Sequence, residues 1–246
     1  MLKKLLTALL DLLFPPRCMI CQRLIEPKEK PVCRACMLKL PEYDGADPQV
    51  KFAQRCVATF FYEKDLREAF LRFKFQNRDH YADQFGKWMC VTIHDKLHGL
   101  YDCITWAPVS RKRLRERGFD QSERLCMVIA AELGLPVERV LEKTRHTQRQ
   151  SELKDASMRA ANASGAYRVT DPAKVAGRRF LLIDDIVTTG STLAECSRVL
   201  RTAGAESVVC AVLAAARSDK ARCQSDEDQT FQRYWHRPRD GEYPAV

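Results

Sequence analysis

Short, continuous apolar runs alternate along the chain with longer stretches in which apolar residues recur every three or four positions. The first pattern belongs to buried strands and the second to amphipathic helices. Strands are predicted at Cys56–Tyr62, Asp102–Pro108, Val137–Leu141, Arg179–Asp184 and Ser207–Ala215. Helices are predicted at Leu66–Phe75, Tyr81–His98, Gln121–Leu133 and Thr192–Ala203, the last two stopped by Gly134 and Gly204. Strands alternating with helices imply an α/β fold with a parallel sheet. No internal repeat is present.

At the N-terminus, Leu2, Leu5, Leu6, Leu9, Leu12 and Leu13 fall at helical spacing before Pro15-Pro16. This reads as a short amphipathic helix that packs on its own protein, with a membrane-surface helix as the alternative. Asp11 breaks the run, no small-residue cleavage site follows, and the stretch is too short to span a bilayer. A cytoplasmic protein without a transmembrane segment is therefore expected, with its cysteines reduced. Pro41, Asp44, Gly45, Asp47 and Pro48 give residues 41–54 loop composition. The expected organisation is a small module over 1–50, an α/β domain over 51–217 and a polar, poorly ordered extension over 218–246.

Composition narrows the class. Of 246 residues, 46% are hydrophobic and 30% charged, which excludes a disordered or membrane-spanning chain. Lys and Arg total 41 against 32 Asp and Glu, a net charge of +9 that points to anionic partners. The surplus is concentrated: Arg111–Arg117 carries five basic residues and one acidic, and Lys143–Arg149 carries three basic residues. Eleven cysteines are an odd count, whereas a disulfide framework prefers an even count in a short secreted chain. Four of them form two C-x2-C knuckles, Cys18/Cys21 and Cys33/Cys36, with Pro27, Lys28, Lys30 and Pro31 between. Paired knuckles can complete a tetrahedron of sulfur around Zn2+, which leaves no open position for a catalytic water, so the site should be structural. Cys56, Cys90, Cys103, Cys126, Cys196, Cys210 and Cys223 read as small core hydrophobes.

The segment Phe180–Leu193 carries the chemistry. An apolar strand runs into Asp184 and Asp185, then into Thr188, Thr189, Gly190, Ser191 and Thr192, then into a helix. Backbone N–H groups and hydroxyls at a helix N-terminus make a cup for a phosphate monoester, and glycine lets the backbone approach it closely. Two aspartates beside the cup are placed to accept hydrogen bonds from vicinal hydroxyls, so a ribose 5-phosphate has both features in the right order. Neither G-x-x-x-x-G-K-[ST] nor G-x-G-x-x-G occurs, which argues against a P-loop or a dinucleotide site.

Asp184–Leu193 resembles the phosphoribosyl-pyrophosphate (PRPP) signature of type I phosphoribosyltransferases. With the doubled C-x2-C, the chain resembles the ComF/GntX family of competence-associated, phosphoribosyltransferase-like proteins. Ala107–Val109, Arg111–Ser122, Arg145–Gln150 and Arg159–Asn162 add to the match, which covers residues 1–217. Asp120 departs from it, the family usually having Asn there, and the tail after Arg217 has no counterpart. The resemblance implies a type I phosphoribosyltransferase-like parallel sheet flanked by helices, with a small N-terminal zinc-binding module of four cysteines. It implies that Asp184 and Asp185 hold the ribose hydroxyls, that Thr188, Thr189, Gly190, Ser191 and Thr192 hold the 5-phosphate, and that Val109, Ser110, Arg111 and Lys112 meet pyrophosphate. Arg117 to Gln121 would belong to a loop that closes over the reaction centre. Mg2+ would be chelated by pyrophosphate and ribose oxygens.

Three readings stay open at this point: a phosphoribosyltransferase acting on an unidentified acceptor, a non-catalytic module that contacts single-stranded DNA or DNA-processing proteins, and a PRPP or nucleotide sensor. A homo-oligomer is compatible with all three. Lys74, between Phe73 and Phe75, either reaches the phosphates or snorkels at the surface, and Phe119 is either core or a stacking surface.

Overall fold

The computed structural model describes residues 15–26, 31–76, 78–144 and 165–216. The leucine-rich start, the Lys28–Lys30 linker, the Arg145–Gln150 and Arg159–Asn162 motifs, Cys223 and the tail after Ala216 lie outside them. In chain order the elements are α1 (Arg34–Met37), β1 (Arg55–Phe61), α2 (Lys64–Phe75), α3 (Tyr81–Leu97), β2 (Cys103–Trp106), α4 (Arg111–Arg117) and α5 (Gln121–Leu133). Then follow β3 (Leu141–Lys143), β4 (Tyr167–Val169), a 3-10 turn at Pro172–Lys174, β5 (Arg179–Val187), α6 (Ser191–Thr202) and β6 (Ser207–Ala215).

Four strands form one parallel sheet in the order β1-β6-β5-β2. β6, at its centre, reads Ser-Val-Val-Cys-Ala-Val-Leu-Ala-Ala and is buried from Val208 onward, as a strand covered on both faces must be. One face packs against α2, α3 and α5 through Phe73, Trp88, Ile93, Leu125, Ile104, Leu181 and Val209. The other packs against α6 and the β3–β4 hairpin through Phe180, Leu182, Val212, Leu193, Leu200, Val140 and Tyr167. Residues 41–43 run antiparallel along the outer edge of β1, with Phe61 N–H donating to Pro41 O (2.7 Å) and Tyr43 N–H to Thr59 O (3.1 Å). At Gly86 a Cβ would lie 2.6 Å from Val128 Cγ1, so glycine sets how closely α3 and α5 cross.

The knuckles pack on the same core. Cys18, Met19, Ile20, Ile25, Val32 and Cys33 belong to the cluster that contains Phe70, Phe73 and Tyr81. Arg72 on α2 donates to Met19 O (3.0 Å) and Ile20 O (2.5 Å), and Gln22 donates to the Tyr81 hydroxyl (3.2 Å). Six cysteines, Cys56, Cys90, Cys103, Cys126, Cys196 and Cys210, are free and buried, in keeping with the core role expected of them. No helix among the described residues is long and apolar enough to cross a membrane.

Two expectations are corrected. Val137 makes only an isolated parallel bridge to Ile104, and the strand begins at Leu141 to pair antiparallel with Tyr167–Val169. β5 also does not stop at Asp184: its pairing with β6 continues through Asp184–Val212 and Ile186–Ala214 to Val187–Ala215. The partner strand supplies backbone bonds there, so the polar pair does not end the strand.

Candidate functional site

The helices that follow β2 and β5 leave to opposite faces: α5 packs on the α2/α3 side and α6 on the hairpin side. Where neighbouring parallel strands send their helices to opposite faces, a crevice opens at their carboxyl ends. β2 and β5 are such a pair, and the two loops singled out by sequence are its walls.

The wall after β5 contains the phosphate-cup residues. Gly190 sits at φ 71°, in the left-handed region, and caps the 12-residue α6. A Cβ on it would meet Val50 Cγ2 at 3.3 Å and Gln49 O at 3.4 Å, so the 41–54 segment lies against this loop. The Thr189 and Ser191 hydroxyls lie 2.8 Å apart in hydrogen-bond contact, Thr188 is exposed, and Thr192 is half-buried on the first turn of α6. Hydroxyls at the positive end of a helix dipole suit an anion.

The wall after β2 leads into α4. Ser110 is buried and its Oγ accepts from Arg113 N–H (3.4 Å), capping the helix. Val109 N–H donates to Asp120 Oδ2 (2.8 Å), so the backbone amide of this residue, the first of the stretch expected to meet pyrophosphate, is bonded within the protein. Arg111 and Lys112 are exposed, and Arg111 reaches Glu142 Oε1 (3.2 Å) on the hairpin. Arg117 donates to Gln121 Oε1 (2.8 Å) and stands 5.2 Å from the Phe75 ring centroid. The stretch expected as a closing loop is thus the end of α4, a left-handed Gly118 (φ 81°) and the fully buried first residue of α5. Phe119 is core, packed 5.6 Å from Phe73.

Between the walls stand the carboxylates. Asp184 Oδ1 accepts from the Ser122 hydroxyl (3.0 Å) and from Asp185 N–H (2.8 Å). Asp185 Oδ2 pairs with Lys74 Nζ at 2.7 Å, and Lys74 also lies over the Phe70 ring at 4.5 Å. Lys74 is therefore an inward cation of the site. Burial, and then the charge of Asp185, push the Asp184 carboxyl up to about 7. From the hairpin, Lys143 donates to the Tyr167 hydroxyl (3.0 Å); burial and nearby Arg113 push its ammonium down to about 8. Ser122, Lys143 and Tyr167 were not among the sequence-derived site residues, and Asp120 entered only as part of the Arg117–Gln121 loop. Asp120 and Ser122 had a signal, an acidic cap just before the helix at Gln121 and a hydroxyl on its first turn, whereas Lys143 and Tyr167 meet only through a pairing remote in sequence.

The knuckle sulfurs converge. All four Sγ atoms of Cys18, Cys21, Cys33 and Cys36 lie within 4.8 Å of one another, with Cys21 and Cys33 3.9 Å apart. Tetrahedral Zn–S bonds of about 2.3 Å require sulfurs about 3.8 Å apart, so the donor set fits structural zinc. Cys33 N–H donates to Cys18 Sγ (3.4 Å), the kind of bond that orients a ligating sulfur.

Comparison with known protein families agrees with this architecture. A phosphoribosyl transferase domain matches residues 120–237, and a double zinc ribbon domain matches residues 9–48. DNA utilization protein YhgH of Escherichia coli K12 is 30% identical over 184 residues, covering 72% of this chain and 74% of its own. Competence protein F of Haemophilus influenzae is 26% identical over 216 residues, covering 78% of this chain and 93% of its own. Among solved structures, the glutamine PRPP amidotransferase from B. subtilis aligns at a TM-score of 0.40 and 16% identity, over 69% of this chain and 32% of that one.

Proposed function

Since the chain belongs to the ComF/GntX family, with a type I phosphoribosyltransferase fold and an N-terminal double zinc ribbon, we propose that it binds PRPP or a related ribose 5-phosphate. On this reading it transfers the phosphoribosyl group to an acceptor. The observation that carries the reading is the crevice between β2 and β5, with a phosphate cup on one wall, basic residues on the other and the acidic pair between.

Thr188, Thr189, Gly190, Ser191 and Thr192 hold the 5-phosphate, and Asp184 and Asp185 accept from the ribose hydroxyls. Ser110, Arg111 and Lys112 offer the pyrophosphate end its donors and positive charge. Displacement at ribose C1 develops positive charge on the sugar and negative charge on the leaving pyrophosphate. Carboxylates beside the first and cations beside the second stabilise both. The site offers Mg2+, a hard cation, the oxygen donors it takes: the carboxylates of the neighbouring Asp184 and Asp185 and the Ser122 hydroxyl beside Asp184. When bound with pyrophosphate, Mg2+ would offset charge on the leaving group.

Calorimetry tests the binding claim. Wild-type protein should bind PRPP in the presence of Mg2+, and the double substitution Asp184→Asn, Asp185→Asn should abolish the heat; a wild-type protein that gives none removes the proposal. Pyrophosphate release across a panel of bases and amines decides whether turnover accompanies binding.

A second reading rests on the exposed face of α4, where Arg111, Lys112 and Arg115 stand in one turn and a half. Two relatives carry DNA or competence in their names, and such a face suits contact with DNA phosphates. DNA affinity should then fall steeply with salt.

A further inference from the structure

The hydrogen bonds around Asp120 run from the wall after β2 to the acidic pair between the walls. Asp120 is 5% exposed and caps α5, its Oδ1 accepting from Ser122 N–H (3.0 Å) and Glu123 N–H (3.3 Å). Its second oxygen takes Val109 N–H, across 11 residues of sequence. Ser122, 2% exposed, turns its hydroxyl to Asp184. Asp184 in turn holds Asp185 N–H, and Asp185 ends the chain at Lys74.

A helix cap needs only one acceptor, and an asparagine or serine would provide it. A buried carboxylate carries a desolvation cost that those residues avoid. What it adds here is a second acceptor oxygen. An asparagine in the same pose would turn its Nδ2 hydrogens to the Val109 N–H, donor against donor.

We propose that Asp120 and Ser122 are positioning residues for the phosphoribosyl site: Asp120 fixes the Val109–Ser110 wall and, through Ser122, aims the Asp184 carboxylate at the sugar. Neither side chain need touch the ligand. The wall after β2 and the Asp184 carboxylate are both keyed to the Asp120–Ser122 segment, whose covalent geometry sets their separation. The inference rests on the phosphoribosyl reading for its ligand class.

The test compares Ser122→Ala with Ser122→Thr by calorimetry against ribose 5-phosphate and, separately, inorganic phosphate. Loss of a hydrogen bond to a carboxylate should weaken ribose 5-phosphate about tenfold. Threonine, which keeps the hydroxyl, should restore most of that affinity. Inorganic phosphate, which reports on the Thr188–Thr192 cup alone, should be unaffected. Equal losses for both ligands, or failure of threonine to rescue, would overturn the role of Ser122. Asp120→Asn should weaken PRPP with Mg2+ more than ribose 5-phosphate, because the wall after β2 faces pyrophosphate; equal weakening removes the Val109 half of the proposal. Should wild-type protein bind none of these ligands, the functional reading fails and positioning is decided by urea unfolding. In a double-mutant cycle of Ser122→Ala with Asp184→Ala, coupling between the two sites supports the bridge, and strictly independent effects overturn it.

Discussion

Asp120 shows how one atom type can alter both stability and site geometry. Burial pushes its carboxyl up to about 6, against three accepted N–H bonds that favour the ionised form. A carboxyl whose pKa is higher folded than unfolded holds more protons in the folded state between the two values. Its contribution to stability is therefore fully present below pH ~4, the unfolded value, and is lost as pH rises through about 6. Urea unfolding of wild type and Asp120→Asn at a series of pH values should show the difference in stability moving against wild type over that window. The slope should not exceed about 1.4 kcal/mol per pH unit, the limit for one proton. A difference independent of pH would show that the carboxyl titrates alike in both states.

At the scale of elements, the joint between β5 and α6 depends on Gly190. At φ 71° an L side chain is strained, and a Cβ would press on Val50 and Gln49. Gly190→Ala should cost about 1–2 kcal/mol from the left-handed conformation alone, read by denaturant unfolding, and should weaken phosphate binding as the cup distorts. This joint was legible in sequence because apolar strand, hydroxyl loop and helix follow one another locally. The helix at Gln121–Leu133 was equally legible, since Asp120 begins it and Gly134 ends it in left-handed geometry. β3 was not, because three residues carry too little pattern and their partner Tyr167–Val169 lies beyond a long intervening stretch. The end of β5 was hidden for a different reason: Asp184 and Asp185 look like a loop until the pairing with β6 is known. The bridge from Asp120 through Ser122 to Asp184 joins residues 62 positions apart at its last bond, a distance over which sequence spacing says nothing.

Across the whole molecule, α2 connects the zinc knuckles to the site. Arg72 holds the Met19 and Ile20 carbonyls, and two residues later Lys74 holds Asp185. Purified protein should contain about one Zn per chain, and Cys18→Ser should remove it. The same substitution should lower the unfolding midpoint and weaken PRPP binding, because the knuckle that anchors the last turn of α2 is lost; unchanged ligand affinity in the zinc-free protein would show that Lys74 keeps its place without the knuckle. The buried cysteines make a further kind of experiment possible. Cys90, Cys126, Cys103 and Cys196 are spread over both faces of the sheet, closed to reagent and raised by burial above the ordinary thiol range, whereas Cys21 is exposed. A thiol reagent reacts with accessible thiolate, so each position becomes a clock. In a Cys223→Ser background, chelation should release Cys21 to labelling first, while the interior cysteines should be labelled together at the rate of global opening.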